Sequence, residues 1–137
     1  MKVIRDYLTI NDFASVIFNN EAITLDDLLV NRVEKSFNFL KSFSANKVIY
    51  GVNTGFGPMA QYRIQPEDQL QLQYNLIRSH SSGTGNPLSP IHVKAAILAR
   101  LNTLALGKSG VNMTVISLMK ELIHRDITPL IFAHGGV

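Results

Sequence analysis

The sequence predicts a mainly α-helical fold. Three long stretches carry apolar residues at helical spacing, and each opens with a helix-start signal, near Thr24, Pro66 and Pro90. A shorter helical pattern follows Asn112. Extended chain is indicated only in two short runs, 47–50 and 127–130, so strands are scarce.

The first predicted helix begins near Thr24. A threonine can cap a helix, and Asp26 and Asp27 would place carboxylates in the first turn, where they suit the helix dipole. The apolar positions that follow are Leu25, Leu28, Leu29, Val33, Phe37 and Leu40. This spacing predicts a helix that ends at about Lys41 or Phe43, before the extended run Lys47–Tyr50.

The second predicted helix begins near Pro66, because proline suits the first turn of a helix. Leu70, Tyr74 and Ile77 share one face of this helix, and 81–83 (Ser-Ser-Gly) ends it. The following residues, Gly85, Asn86 and Pro87, are typical of a loop.

The third predicted helix runs from Pro90 to Leu106 and is apolar nearly all round, so we expect a buried helix with Gly107 at its C-terminal end. Asn112 is expected to cap the last helix, and 127–130 is expected to be extended.

Composition restricts the class of protein. The chain has 137 residues, 46% hydrophobic and 17% charged, which is typical of a globular domain. It has no cysteine, so disulfides and thiolate metal sites are excluded. No signal-peptide pattern opens the chain, and no apolar run is long enough for a membrane span, because Lys94, Arg100 and Asn102 interrupt the best candidate. We therefore expect a cytoplasmic protein without a membrane partner.

Charge is uneven along the chain. Residues 1–68 hold 7 basic and 8 acidic side chains, whereas residues 69–137 hold 6 basic and 2 acidic ones. A cationic second half suits a small anionic ligand such as an amino-acid carboxylate. Nucleic acid is disfavoured because the basic residues are scattered. His92, His124 and His134 lack metal-ligand spacing, so no metal site is predicted.

The most informative segment is 50–57, Tyr-Gly-Val-Asn-Thr-Gly-Phe-Gly. Its three glycines permit unusual backbone conformations and close approach of other groups. A tyrosine at the mouth of such a loop can present its hydroxyl to a ligand. Taken locally, the pattern also fits a buried tyrosine that ends a strand.

This segment resembles the Y-G-x-x-T-G-F-G signature of the aromatic amino acid ammonia-lyases, the family of histidine, phenylalanine and tyrosine ammonia-lyases. Residues 71–83 (QLQYNLIRSHSSG) resemble the family's substrate-selectivity helix. Residues 95–110 (AAILARLNTLALGKSG) resemble the next core helix and its exit, and 127–137 the approach to the catalytic prosthetic group. The resemblance runs from about Asn31 to the end of the chain, and 31–83 is most similar to bacterial tyrosine ammonia-lyases.

The resemblance implies roles for four residues. Tyr50 would be the base that removes a proton from the substrate's β-carbon; a phenol has an ordinary pKa near ~10 and needs help from its surroundings to act so. Ser79 and His80 would contact the substrate's ring, although a histidine at a helix end is also a common cap. Gly57 would line the substrate pocket, or merely close the loop. Asn53 is expected only to shape the loop.

The resemblance also implies what lies beyond the chain. The family's electrophile is a methylidene-imidazolone (MIO) formed from an internal Ala-Ser-Gly, expected just after Val137 and not within these residues; no metal is implied. Residues 1–137 would be the N-terminal segment of an α-helical homotetrameric lyase whose central bundle lies beyond it. The segment would carry the tyrosine loop (about 46–65) and the selectivity helix (about 66–82), and alone it would be inactive.

Three functions stay open at this point. The first is elimination of ammonia from an aromatic L-amino acid, giving the trans-α,β-unsaturated acid. The Ser79-His80 pair disfavours phenylalanine, and the likeness over 31–83 favours tyrosine over histidine. The second is an MIO-dependent 2,3-aminomutase, and the third is a helical interaction module without catalysis.

Overall fold

The structure is a computed structural model that describes residues 1–135. Gly136 and Val137, which end the segment predicted to approach the prosthetic group, lie outside the described residues. The described part contains five α-helices and four short strands, so the prediction of a mainly α fold is confirmed. The chain divides into two compact units, one formed by residues 1–40 and 87–131 and the other by residues 41–86 and the tail from Phe132.

The elements follow one another as β1 (Lys2–Ile4), α1 (Ile10–Phe18), β2 (Ile23–Leu25), α2 (Asp27–Ser44), α3 (Gln69–His80), β3 (Thr84–Pro87), α4 (Pro90–Ala105), α5 (Met113–His124) and β4 (Phe132–His134). Strands β1 and β2 pair in parallel, and β3 pairs with β4.

The first unit is built around a core to which β1, β2, α1, α2, α4 and α5 contribute. Its members are Ile4, Val16, Ile23, Leu29, Val33, Leu98, Leu101, Leu104, Ala105, Ile116 and Ile123. Helix α4 supplies four of them and therefore lies against the core along one side. The opposite side, including His92, Ala96 and Thr103, is exposed, so the described residues bury only one side of this helix.

A buried lysine joins two turns of the first unit. The Lys94 ammonium is 4% exposed and donates to Asn20 Oδ1 at 2.7 Å and to Asp126 Oδ1 at 2.8 Å. Asn20 follows α1 and Asp126 follows α5, and both have left-handed backbone, with φ of 50° and 55°. Asparagine and aspartate tolerate this conformation better than other side chains. The buried charge is thus stabilised by two polar side chains, one that follows each of these helices.

The start of α2 differs from the prediction. Thr24 lies in β2, not at a helix cap, because its strand pairs with β1 (Val3 opposite Thr24). The cap is Asp26, whose carboxylate accepts from the Leu28 amide at 2.9 Å. Each of these two strands has only three residues and pairs with a distant segment. The sequence therefore shows no clear alternation that would predict them.

Two other extended segments differ from the prediction. Residues 84–87, predicted as loop, form β3, and the strand expected at 127–130 lies further on as β4. Pairing of β3 with β4 explains both shifts, since a strand needs a partner for its backbone groups. The predicted strand Lys47–Tyr50 has no partner strand in the described residues; its first three residues are irregular, and Tyr50 begins a turn.

Other helix-start and helix-end residues predicted from the sequence agree with the structure. A 3-10 turn at Pro66–Asp68 leads into α3, and α4 begins at Pro90. Asn112 caps α5 by accepting from the Thr114 amide at 2.9 Å. Gly107 has φ +67° directly after α4, as expected of a C-terminal glycine.

Candidate functional site

Tyr50 lies in the loop that joins α2 to α3, within the second unit. The Ile49 carbonyl accepts from the amides of Val52 at 3.1 Å and Asn53 at 3.2 Å, so the chain turns around Tyr50. The tyrosine is 64% exposed, and its ring meets Phe56 edge-on, with 6.0 Å between ring centroids. The buried-strand interpretation of Tyr50 is therefore wrong in the described structure, and its hydroxyl is free to meet a ligand.

The remainder of the loop folds back on itself. Thr54 and Arg63 form an isolated antiparallel bridge, and the Ile64 amide donates to the Asn53 carbonyl at 2.9 Å. A Cβ on Gly55 would lie 2.6 Å from Met59 Cβ, so only glycine fits there. These contacts place Phe56 and Met59 at the tip of the loop beside α3.

Gly57 has φ +55°, a backbone conformation that favours glycine. A Cβ there would meet no atom within 4 Å, so the space at its α-carbon is open. Glycine is thus needed for the turn. Its predicted contact with substrate stays a prediction.

Ser79 and His80 end α3, as predicted. The Ser79 hydroxyl donates to the Leu76 carbonyl at 3.0 Å and lies 2.9 Å from His80 Nδ1. His80 Nδ1 itself lies 3.0 Å from the Leu76 carbonyl oxygen. A carbonyl can only accept, so the bond to Leu76 belongs to the tautomer with a proton on Nδ1, and a bond from the Ser79 hydroxyl to Nδ1 belongs to the other tautomer. Nε2 accepts in the first tautomer and donates in the second.

The loop and α3 line a largely apolar pocket of about 390 Å³ that is open to solvent. Its walls are Gly55, Phe56, Met59, Ile64, Leu72, Asn75, Leu76, Ser79 and His80. The structure thus brings Ser79 and His80 together in one pocket. Tyr50 and Gly57 do not line this pocket, but Tyr50 packs on Phe56, which does.

This arrangement suits a small aromatic ligand. Pockets for such ligands are mostly apolar, with a few polar groups that fix orientation. Here the apolar side chains can cover a ring, while His80 can exchange a hydrogen bond with a polar group on it. Tyr50 lies outside this pocket and packs on Phe56, which is one of its walls.

Two further polar residues make defined hydrogen bonds in the loop and the pocket. Asn53 is 5% exposed and makes three hydrogen bonds through its side-chain amide, in agreement with the expectation that it shapes the loop. Its position inside a glycine-rich turn was the available signal, since asparagine side chains often bond to nearby backbone. Asn75, which lines the pocket, accepts from Gln71 at 2.8 Å and carried no distinguishing signal.

Residues 1–135 hold no group of three or more His, Cys, Asp or Glu side chains that could bind a metal ion. Within the same residues, no helix combines the length and apolar character needed to cross a membrane.

The sequence profile of the aromatic amino acid lyases matches residues 8–137. The chain belongs to this family. It is 37% identical over 131 residues to a probable histidine ammonia-lyase from Thermoplasma acidophilum and 38% identical over 131 residues to a histidine ammonia-lyase from Streptococcus pyogenes serotype M3. Each match covers 95% of this chain and 26% of the relative, so the chain spans about a quarter of the length of these relatives.

The fold is likewise that of family members of known structure. The tyrosine aminomutase from Streptomyces globisporus superposes with a TM-score of 0.88 at 30% sequence identity. This match covers 98% of the present chain and 26% of the aminomutase chain. The expected likeness to an N-terminal part of this helical fold is confirmed.

Proposed function

We propose that the full-length protein eliminates ammonia from an aromatic L-amino acid. Tyr50 acts as the base, and Ser79 and His80 recognise the substrate's ring. The single observation that carries this proposal is the pocket beside α3, where Ser79 and His80 share walls with Phe56, the residue on which Tyr50 packs. Family membership over residues 8–137 supports the same reaction class.

The reaction divides between this chain and the rest of the protein. Tyr50, as its phenolate, accepts a proton from the substrate's β-carbon, the C–H electrons form the Cα–Cβ double bond, and the protonated amino group leaves as ammonia with the electrons of the C–N bond. The MIO group implied by the family is an electrophile that assists departure of the amine. The printed sequence contains no Ala-Ser-Gly, so the residues of this chain supply the base and the ring pocket but no part of that group.

Histidine is the substrate we favour. The relatives named above, at 37% and 38% identity, are a probable histidine ammonia-lyase and a histidine ammonia-lyase. These relatives do not support the preference for tyrosine drawn from residues 31–83. A histidine side chain can exchange a hydrogen bond with either an imidazole or a phenol. Tyrosine is therefore the second substrate to test.

The test is replacement of the base. Tyr50→Phe in the full-length protein removes one hydroxyl and keeps the ring that packs on Phe56. A general base typically contributes about 10²–10⁴-fold, so kcat is expected to fall by at least about 10²-fold. Product is followed by the ultraviolet absorbance of the conjugated acid formed from L-histidine or L-tyrosine.

Tyr62→Phe is the matched control, because Tyr62 is an exposed tyrosine of the same loop. It is expected to retain wild-type turnover. Near-normal turnover by Tyr50→Phe would remove Tyr50 from the mechanism.

A second candidate is a 2,3-aminomutase, which re-adds ammonia at the β-carbon. It is favoured by the likeness to the tyrosine aminomutase structure at a TM-score of 0.88. Chromatography of the products decides between the two reactions. A β-amino acid among them supports the aminomutase, and an unsaturated acid alone supports the lyase.

Assembly and location follow the family in this proposal. We expect a cytoplasmic homotetramer in which this segment pairs with the rest of its own polypeptide. The molar mass of the full-length protein in solution tests this, and a stable monomer would contradict it.

A further inference from the structure

Asn53 is the most completely hydrogen-bonded side chain of the tyrosine loop. Its Oδ1 accepts from the Ile49 amide at 2.8 Å. Its Nδ2 donates to the carbonyls of Ser44 at 3.0 Å and Lys47 at 2.7 Å. A side-chain amide can donate twice, and both protons are used here. The side chain is also 95% buried, so water does not compete for these bonds.

These three bonds hold the chain that leads into Tyr50. Ser44 is the last residue of α2, and Ile49 directly precedes Tyr50. Asn53 therefore ties the approach to the tyrosine to the end of a helix of 18 residues. Without it, the Ile49 amide and the Ser44 and Lys47 carbonyls would lose these side-chain partners.

The residue after Tyr50 is held by the neighbour of Asn53. The Thr54 hydroxyl accepts from the Gly51 amide at 3.4 Å and donates to the Gly55 carbonyl at 2.8 Å. Tyr50 itself is 64% exposed, and its ring contact is with Phe56. The position of the phenol thus depends on its backbone, which is fixed on both sides by buried side chains.

We infer that Asn53 is a positioning residue for the base Tyr50: its amide fixes the backbone that sets where the phenol oxygen lies. The inference rests on the proposed function, because it assigns Asn53 to the proton transfer made by Tyr50. Asn53 touches no reacting atom, so ring binding at Ser79 and His80 should be unaffected. A misplacement of about 1 Å at a reacting group can cost about 10²-fold in rate.

The test uses Asn53→Ala and Asn53→Ser in the full-length protein, with Asn46→Ala as control. Asn46 is an exposed asparagine of the turn before the loop. We expect Asn53→Ala to lower kcat by about 10²-fold with KM within about threefold of wild type, since only the transition state loses alignment. Asn53→Ser keeps one hydrogen-bonding oxygen, so its kcat should fall between the values for wild type and Asn53→Ala. Asn46→Ala should match wild type.

A deuterium isotope effect separates positioning from mere stability. With L-histidine or L-tyrosine deuterated at the β-carbon, slower proton transfer makes the isotope effect on kcat larger in the Asn53 variants than in wild type. Thermal unfolding of each variant gives the folded fraction, to which kcat is normalised. If the variants only unfold more easily, with normalised kcat and isotope effect unchanged, the inference is wrong. Should Asn53→Ala not fold, Asn53→Ser carries the same comparison.

Tyr50→Phe, assayed in parallel, distinguishes the two failures. If it is inactive while the Asn53 variants behave as wild type, the proposed function stands and the inference falls. If Tyr50→Phe retains turnover, the proposed function fails, and the role of Asn53 fails with it.

Discussion

Replacement of Gly107 by alanine should destabilise the first unit strongly. Gly107 follows α4 with φ +67°, and an added Cβ would lie 2.8 Å from the Arg32 carbonyl carbon and 2.9 Å from the Val33 amide nitrogen. Left-handed backbone costs a residue with a Cβ about 1–2 kcal/mol. The clash is with backbone of α2, which cannot rotate away, and overpacking of this kind adds about 1–3 kcal/mol.

The sum is a loss of about 2–5 kcal/mol for Gly107→Ala. Gly57→Ala isolates the backbone part, because Gly57 has φ +55° but open space around its α-carbon. We expect about 1–2 kcal/mol there. Both variants share the backbone cost, and only Gly107→Ala adds the clash. Their losses of stability should therefore differ by about 1–3 kcal/mol.

Urea unfolding of the full-length protein, followed by circular dichroism, measures both losses from the shift in midpoint. If Gly107→Ala is no less stable than Gly57→Ala, the close approach of α4's end to α2 is not a real constraint. A loss of stability below about 1 kcal/mol in both variants would also contradict the expected cost of placing alanine at a positive φ.

The remaining predictions concern selectivity, pH and a helix cap. His80→Leu removes the hydrogen-bonding ring nitrogen, so relative kcat/KM should shift by about tenfold toward phenylalanine, and unchanged ratios on three amino acids would refute this. Lys2 and the Thr9 backbone and side chain lower the pKa of Asp12 from 3.8 to about 2, so its stabilising effect is complete above about pH 4 and lost as pH falls toward 2. Asp12→Asn should flatten that acid dependence in urea unfolding; an unaltered profile would contradict it. Asn112→Ala deletes the cap on α5 and should cost about 1 kcal/mol in the same assay, and no loss would show the cap is dispensable.

Helices were the part of the fold that could be predicted well, because their signals are local. Pro90 and Asn112 mark helix starts within one residue of the observed ones, and Pro66 begins the 3-10 turn that leads into α3. Helix α1 was missed even though Thr9 and Asp12 form a capping box, since nine residues give too little periodicity.

Strands could not be predicted because their partners are far away in sequence. Val3 pairs with Thr24, and β3 pairs with β4 almost fifty residues later. Each strand has three or four residues, too few for an alternating pattern. The run Lys47–Tyr50 has strand-like composition but no partner in the described chain, and the Asn53 amide supplies its hydrogen bonds instead.

The site was anticipated through motifs more than through local physics. Ser79 and His80 line one pocket, and their contact with the substrate's ring, which the resemblance implied, stays a prediction. Tyr50 is exposed and Asn53 is buried because the loop turns the Asn53 amide toward backbone groups of Ser44, Lys47 and Ile49, and neither residue type alone indicates that arrangement.

The buried ammonium of Lys94 affects how the first unit unfolds. Asn20 precedes Lys94 by 74 positions and Asp126 follows it by 32, and one side chain binds both. If either end frays, the buried charge loses a partner, which is costly away from water. The beginning and the end of this unit should therefore unfold in one step, and amide hydrogens near both turns should exchange at a common rate.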